Sequence, residues 1–229
     1  YNTGASNYNS NWGYLIGDQN GIPGIDDQVQ SSSYASGHAA YGVYGGVLLG
    51  MLVPQRFQEM VTRGQENAVG RVVLGAHWAT DVVGSRTLAY YEIAQELANS
   101  PAYLGTPVDN AKIPKGNTQG WSEATVSVDN YAQLFNNAYN DMQASLQSAC
   151  GKSVAECAKG DTSRFSNIAN DKAFYEATLT MGLPVVFTNN TSVVNFRSFS
   201  TETYNSGNLL VTRLPYLTAD QRADVISTT

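Results

Sequence analysis

The segment that most limits the fold is the apolar stretch from His38 to Val53, built from small residues and carrying glycines at positions 42, 45, 46 and 50. Its longest apolar run, Val43 to Val53, is interrupted by three glycines and falls short of the ~20 residues needed to span a bilayer. Each glycine lowers intrinsic helicity by about 1 kcal/mol relative to alanine. A helix over His38–Leu52 is therefore expected only if neighbouring helices hold it, and its small residues allow them to come close. Pro54 ends this helix and opens the next, Gln55–Leu74, where Phe57, Met60, Val61, Ala68, Val72 and Val73 recur near helical spacing. A third helix, Ala79–Ala98, is predicted from Val82, Val83, Leu88, Ile93 and Leu97, and Ser100-Pro101 stops it.

Both histidines of the chain flank this apolar material. Tyr34-Ala35-Ser36-Gly37-His38 precedes it, and Arg71-Val72-Val73-Leu74-Gly75-Ala76-His77-Trp78-Ala79-Thr80-Asp81 follows. A Ser-Gly-His turn at a helix start offers a hydroxyl and free N–H groups at the positive end of the helix dipole, which suits an anion. Gly37 lets the backbone approach an oxyanion closely. His77 and Asp81 are four apart, so on a helix an imidazole and a carboxylate share one face. A carboxylate on one ring nitrogen fixes the tautomer and frees the other nitrogen to attack or to take a proton. Arg71 supplies the forked donor that phosphate-like oxyanions favour. The set reads as a phosphoryl site. A zinc site built from two histidines and an aspartate would leave Ser36 and Arg71 unexplained and would repel the guanidinium, so no metal is expected.

These residues resemble the type 2 phosphatidic acid phosphatase superfamily, which includes bacterial class A acid phosphatases and vanadium-dependent haloperoxidases. Ala35-Ser36-Gly37-His38 resembles its Pro-Ser-Gly-His motif, with alanine for proline. Gly70-Arg71 through His77 to Asp81 resembles Ser-Arg-x5-His-x3-Asp, with glycine for serine and both inner spacings kept. The resemblance covers residues 34–86 and implies an all-α helical bundle with long loops. It implies His77 as nucleophile, Asp81 as its orienting partner and His38 as general acid, with Arg71, Ser36 and Gly37 holding the phosphate oxygens. The implied activity is that of a phosphomonoesterase working through a phosphohistidine on a phosphate ester, including a lipid phosphate, without a cofactor. Two other readings accompany it: a vanadate-dependent haloperoxidase, in which vanadate fills the same pocket, and a non-catalytic or incomplete module.

The superfamily's first motif, Lys-x6-Arg-Pro, has no counterpart here. The first basic residue is Arg56 and the first lysine Lys112. The expectation is a single domain over residues 1–229 that forms the C-terminal part of a larger precursor, partnered by an N-terminal fragment carrying that motif. Net charge of −6 argues against a nucleic-acid surface. Two cysteines, Cys150 and Cys157, could close a small loop, which fits an oxidising, secreted or periplasmic setting.

Elsewhere the expectations rest on pattern alone. Residues 1–33 read as a long loop and 100–121 as another. Residues 100–229 otherwise read as a helical extension, with helices over Ser122–Ala149, Ser163–Thr180 and Thr218–Ser227. Val185-Val186-Phe187 reads as extended and Asn189–Asn208 as polar loop.

Overall fold

A helix forms over Gly37–Leu52 (α1) because Ser36, in extended conformation, turns its side-chain oxygen onto the Ala39 N–H at 3.2 Å and so satisfies one of the open donors of the first turn. In this computed structural model, residues 33–105, 108–109, 111–117, 120–160, 162–184 and 201–227 are described. After α1, Pro54 starts a short 3₁₀ turn, Pro54–Arg56, which leads into α2, Phe57–Val73.

Helices α1 and α2 are antiparallel and unusually close. A Cβ placed on Gly46 would lie 2.6 Å from the Met60 carbonyl oxygen and 2.9 Å from Gly64 Cα. One on Gly64 would lie 2.7 Å from the Gly42 carbonyl oxygen. No side chain fits between the backbones there, so the glycines that weaken α1 as an isolated helix are what lets α2 hold it. Residues 42, 46 and 50 thus face 67, 60–64 and 57. That register carries Arg71, in the last turn of α2, to the level of His38.

The third helix, Ala79–Leu97 (α3), runs in the same sense as α1. Ser36 bonds to Asp81 near one end and the Tyr44 hydroxyl to Glu96 near the other. Ala39, Val43, Val47 and Met51 of α1 close on Ala68 of α2 and on Val82, Ala89 and Ile93 of α3, with Phe135 completing the cluster. The three expected helices stand within two residues of their predicted bounds.

A four-residue helix follows, Pro101–Leu104 (α4). The next segment corrects the sequence reading. Residues 111–117 and 120–128 form an antiparallel hairpin, strands β1 (Ala111–Asn117) and β2 (Gly120–Val128), pairing Ala111 with Val128 and Asn117 with Gly120. The helix expected from Ser122 begins only at Tyr131 and runs to Cys150 (α5), capped by Asn130. Ala124, Val126 and Val128 alternate with polar residues, the period of a strand, and this outweighed the helix-start signal of Ser122-Glu123.

Gly151, at φ 72°, ends α5, and the Cys150–Cys157 disulfide joins it to α6, Val154–Ala158. Helix α7, Ile168–Ala177, starts five residues later than expected, at the Asn167 cap, and lies on α2. A 3₁₀ segment, Thr201–Leu210, replaces the loop expected there, and α8, Ala219–Ser227, packs on it. The loop expected over 1–33 lies outside the described residues except for Ser33, as do Val185–Phe187 and 189–200. Apart from the hairpin, all regular structure described is helical, so the all-α expectation holds. No described helix is long and apolar enough to cross a membrane.

Candidate active site

The N-terminal ends of α1 and α3 abut. The Ser36 N–H reaches the Asp81 carbonyl oxygen at 3.4 Å, and the Ser85 hydroxyl lies 2.8 Å from the Ser36 carbonyl oxygen and 2.7 Å from that of Asp81. Both helix dipoles therefore direct their positive ends to one region. Gly37 and His38 are exposed at the mouth of α1, while Ser36 is fully buried. Ser36 Oγ accepts the capping bond from Ala39, which leaves its own proton to donate elsewhere.

The connection from α2 to α3 is tight for a chemical reason. Gly75 adopts φ 71°, a left-handed conformation that needs glycine, and its N–H bonds to the Val72 carbonyl. The Arg71 carbonyl accepts both the Ala76 N–H at 2.9 Å and the His77 N–H at 3.3 Å. Arg71 and His77, six apart in sequence, are thus joined through the main chain.

His77 Nδ1 lies 3.3 Å from Asp81 Oδ2, and the same oxygen accepts the Trp78 N–H at 3.1 Å. Asp81 is 3% exposed, so its carboxylate serves as a buried anchor for the ring and as a cap for α3. With the Nδ1 proton directed at the carboxylate, the lone pair sits on Nε2, available to an electrophile. The imidazole side chain is 16% exposed, open enough to be reached.

Arg71 adds an informative detail: its Nε is buried and has no hydrogen-bond partner among the described residues. A buried guanidinium nitrogen left unbonded costs ~1–3 kcal/mol, and an oxyanion at the level of His38 would remove that cost.

All six expected site residues thus lie around one end of the α1–α2–α3 unit. Ser36 and Asp81 are in direct contact, His77 is bound to Asp81, Arg71 is tied to His77, and Gly37 and His38 stand at the opening. Ser85 escaped the sequence reading. Its only local signal is the i, i+4 spacing from Asp81; the bond to Ser36 is a tertiary feature. Beside this region an open apolar groove of about 630 Å³ runs along α3, lined by Tyr34, Val83, Gly84, Leu88, Tyr91 and Leu183 among others. The Tyr34 ring stands over Gly84, where a Cβ would lie 2.5 Å from the phenol oxygen.

Comparison with known proteins finds relatives of part of the chain. A non-specific acid phosphatase of Salmonella typhimurium is 40% identical over 74 residues, which cover 32% of this chain and 29% of that protein. An acid phosphatase of Zymomonas mobilis is 37% identical over 65 residues, 28% of this chain and 25% of its own length. For the non-specific acid phosphatase of Providencia stuartii the figures are 33% over 69 residues, 30% and 28%. The matches span less than a third of each relative's length. No solved structure matches. The family model that matches is that of the PAP2 superfamily, and its match runs through residues 5–95, a span that contains the whole candidate site.

Proposed function

We propose that the chain carries the phosphoryl-transfer site of a phosphatase that cleaves phosphate monoesters through a phosphohistidine. The observation that carries this reading is the buried Asp81 carboxylate on His77 Nδ1, placed where the starts of α1 and α3 meet. In the proposed reaction His77 Nε2 attacks phosphorus. The N–P bond forms as the bond to the leaving oxygen breaks, and His38 gives that oxygen its proton. Arg71, the Gly37 N–H and the Ser36 hydroxyl proton neutralise the equatorial oxygens of the transition state. Water then attacks the phosphohistidine, with His38 taking the proton, to release phosphate and restore the ring.

The acid phosphatase relatives support this class of activity, although each is matched over only part of its length. No cofactor enters the reaction. The apolar groove beside the site supports an ester whose alcohol portion is apolar, a lipid phosphate included. The Cys150–Cys157 disulfide supports an oxidising compartment, secreted or periplasmic. A segment of the same precursor carrying Lys-x6-Arg-Pro completes the cation set in this reading, so the assays use the full precursor or the native assembly.

The test is hydrolysis of p-nitrophenyl phosphate, with His77→Ala as control and circular dichroism to verify its fold. Turnover abolished in the folded variant is the expected result. Near-normal turnover in His77→Ala would contradict the assignment. Bromide oxidation by peroxide after vanadate addition, without phosphate ester hydrolysis, would replace it by the haloperoxidase reading. Neither activity and no vanadate binding would leave a non-catalytic module.

A further inference from the structure

We propose that Ser85 is a positioning residue of this site, a side chain that fixes the phosphate-binding turn relative to the His77–Asp81 pair; this inference rests on the phosphatase reading. Ser85 lies on the inner face of α3 and is 0% exposed. A serine inside a helix commonly bonds back to the carbonyl four residues before it, here Asp81 at 2.7 Å, and that contact alone would be of local interest only. The 2.8 Å approach to the Ser36 carbonyl makes it different.

A hydroxyl has one proton, so Ser85 serves the two carbonyls alternately or in a shared bond. Either way its oxygen sits between the residue that caps α1 and the residue that orients His77. Among the described residues, the other direct polar link between these main chains is the long Ser36–Asp81 bond of 3.4 Å, too weak to hold the spacing unaided. The Ser36 carbonyl also accepts the first helical bond of α1, from Ala40 at 2.9 Å. A shift at Ser36 is therefore transmitted to the start of α1, where the Gly37 N–H and His38 lie. Misplacing reacting groups by about 1 Å costs on the order of 100-fold in rate.

The test compares Ser85→Ala and Ser85→Thr with the unaltered protein. Ser85→Ala removes one oxygen from the interior, and kcat is expected to fall about 10- to 100-fold. KM for p-nitrophenyl phosphate should change less than about two-fold, because the ground state depends less on alignment than the transition state does. Vanadate, which takes the trigonal-bipyramidal geometry of the transfer, should bind less tightly by a factor close to the loss in kcat. Ser85→Thr keeps the hydroxyl and should restore most of kcat. Should Ser85→Ala fail to fold, Ser85→Cys fills the site with a slightly larger, weak donor and is expected to show the same kcat loss. Unchanged kcat in folded Ser85→Ala, or equal losses in Ser85→Ala and Ser85→Thr that follow only a lowered melting point, would overturn the inference. An unaltered protein without turnover or vanadate binding would instead overturn the phosphatase reading, and this one with it.

Discussion

The α1–α2–α3 unit and the part of the chain after residue 128 are held together by different physics. In the first, backbones touch: Gly46 against Met60 and Gly64, and a continuous apolar cluster fills the space among the three helices. Later elements add few apolar side chains to that cluster, among them Phe135, Met181, Leu209 and Val211, and are tied on by side chains that grip carbonyls. Gln143 bonds to the Leu52 carbonyl at 2.8 Å, Thr212 to that of Met51 at 2.6 Å and Arg213 to that of Pro54 at 3.2 Å. Arg86, itself buried, reaches back from α3 to the carbonyls of Thr178 and Leu179 just beyond α7. Beyond Val128 the buried apolar side chains are few among the described residues: Phe135, Phe165 and Ala223. The first region cannot move in part, since close-packed backbones shift only together. The second can loosen by single hydrogen bonds. The candidate site sits in the region that tolerates no play.

That contrast can be broken at its strongest point first. His77→Ala should lower kcat/KM by at least about 1,000-fold with little change in melting point, since in the proposed reading His77 is the nucleophile and it lies outside the apolar cluster. Arg71→Ala should cost about 100- to 1,000-fold in kcat, as loss of an oxyanion donor does. Because Arg71 Nε is buried without a hydrogen-bond partner among the described residues, the same variant should keep or raise the melting temperature. A fall in both would mean that Arg71 is structural.

Gly46→Ala probes the packing itself. The added methyl meets the Met60 carbonyl, and the clash should destabilise the fold by about 1–3 kcal/mol, measured by denaturant unfolding, despite the ~1 kcal/mol of helix propensity gained. In the second region, Gln143→Ala should cost only about 1 kcal/mol and leave kcat as it was. If Gln143→Ala proves the more harmful to activity, the division between the regions fails.

The smallest expected effect concerns Asp171 in α7. Burial, reinforced by the nearby Glu59 charge, pushes its carboxyl above the usual range, and its Oδ2 has no partner among the described residues. A raised folded-state value means that the folded chain holds the proton more tightly than the unfolded one. Stability from this group is thus present at low pH and lost as pH rises through the folded value. Asp171→Asn should therefore gain in melting temperature relative to the unaltered protein between pH 4 and 7. A gap that stays constant over that range would rule this out.

How much of this was legible follows the same line. The Ser36 cap, the His77–Asp81 pair and the break at Pro54 are local, with their meaning fixed within four residues, and a sequence displays them directly. The glycines of α1 signalled close packing but not the register, which depends on which residues of α2 arrive opposite. That Arg71 reaches the level of His38 is consequently a result of folding. The hairpin went unread because Pro114, Gly116 and Gly120 speak for turns in isolation, whereas pairing across the hairpin decides their conformation. Thr201–Leu210 is polar throughout most of its length and offers no period to read; Asn205 and Asn208 acquire their role only against Gln95 and Ala94 of α3.

The central claim is that His77, oriented by Asp81, receives the phosphoryl group. It is tested most directly by rapid mixing of the full precursor or native assembly with a ³²P-labelled phosphate monoester, alkaline quench and peptide mapping. Label on the peptide containing His77, lost on mild acid treatment and absent from His77→Ala, is the expected result. Turnover with no label on that peptide, or label retained in His77→Ala, would contradict it.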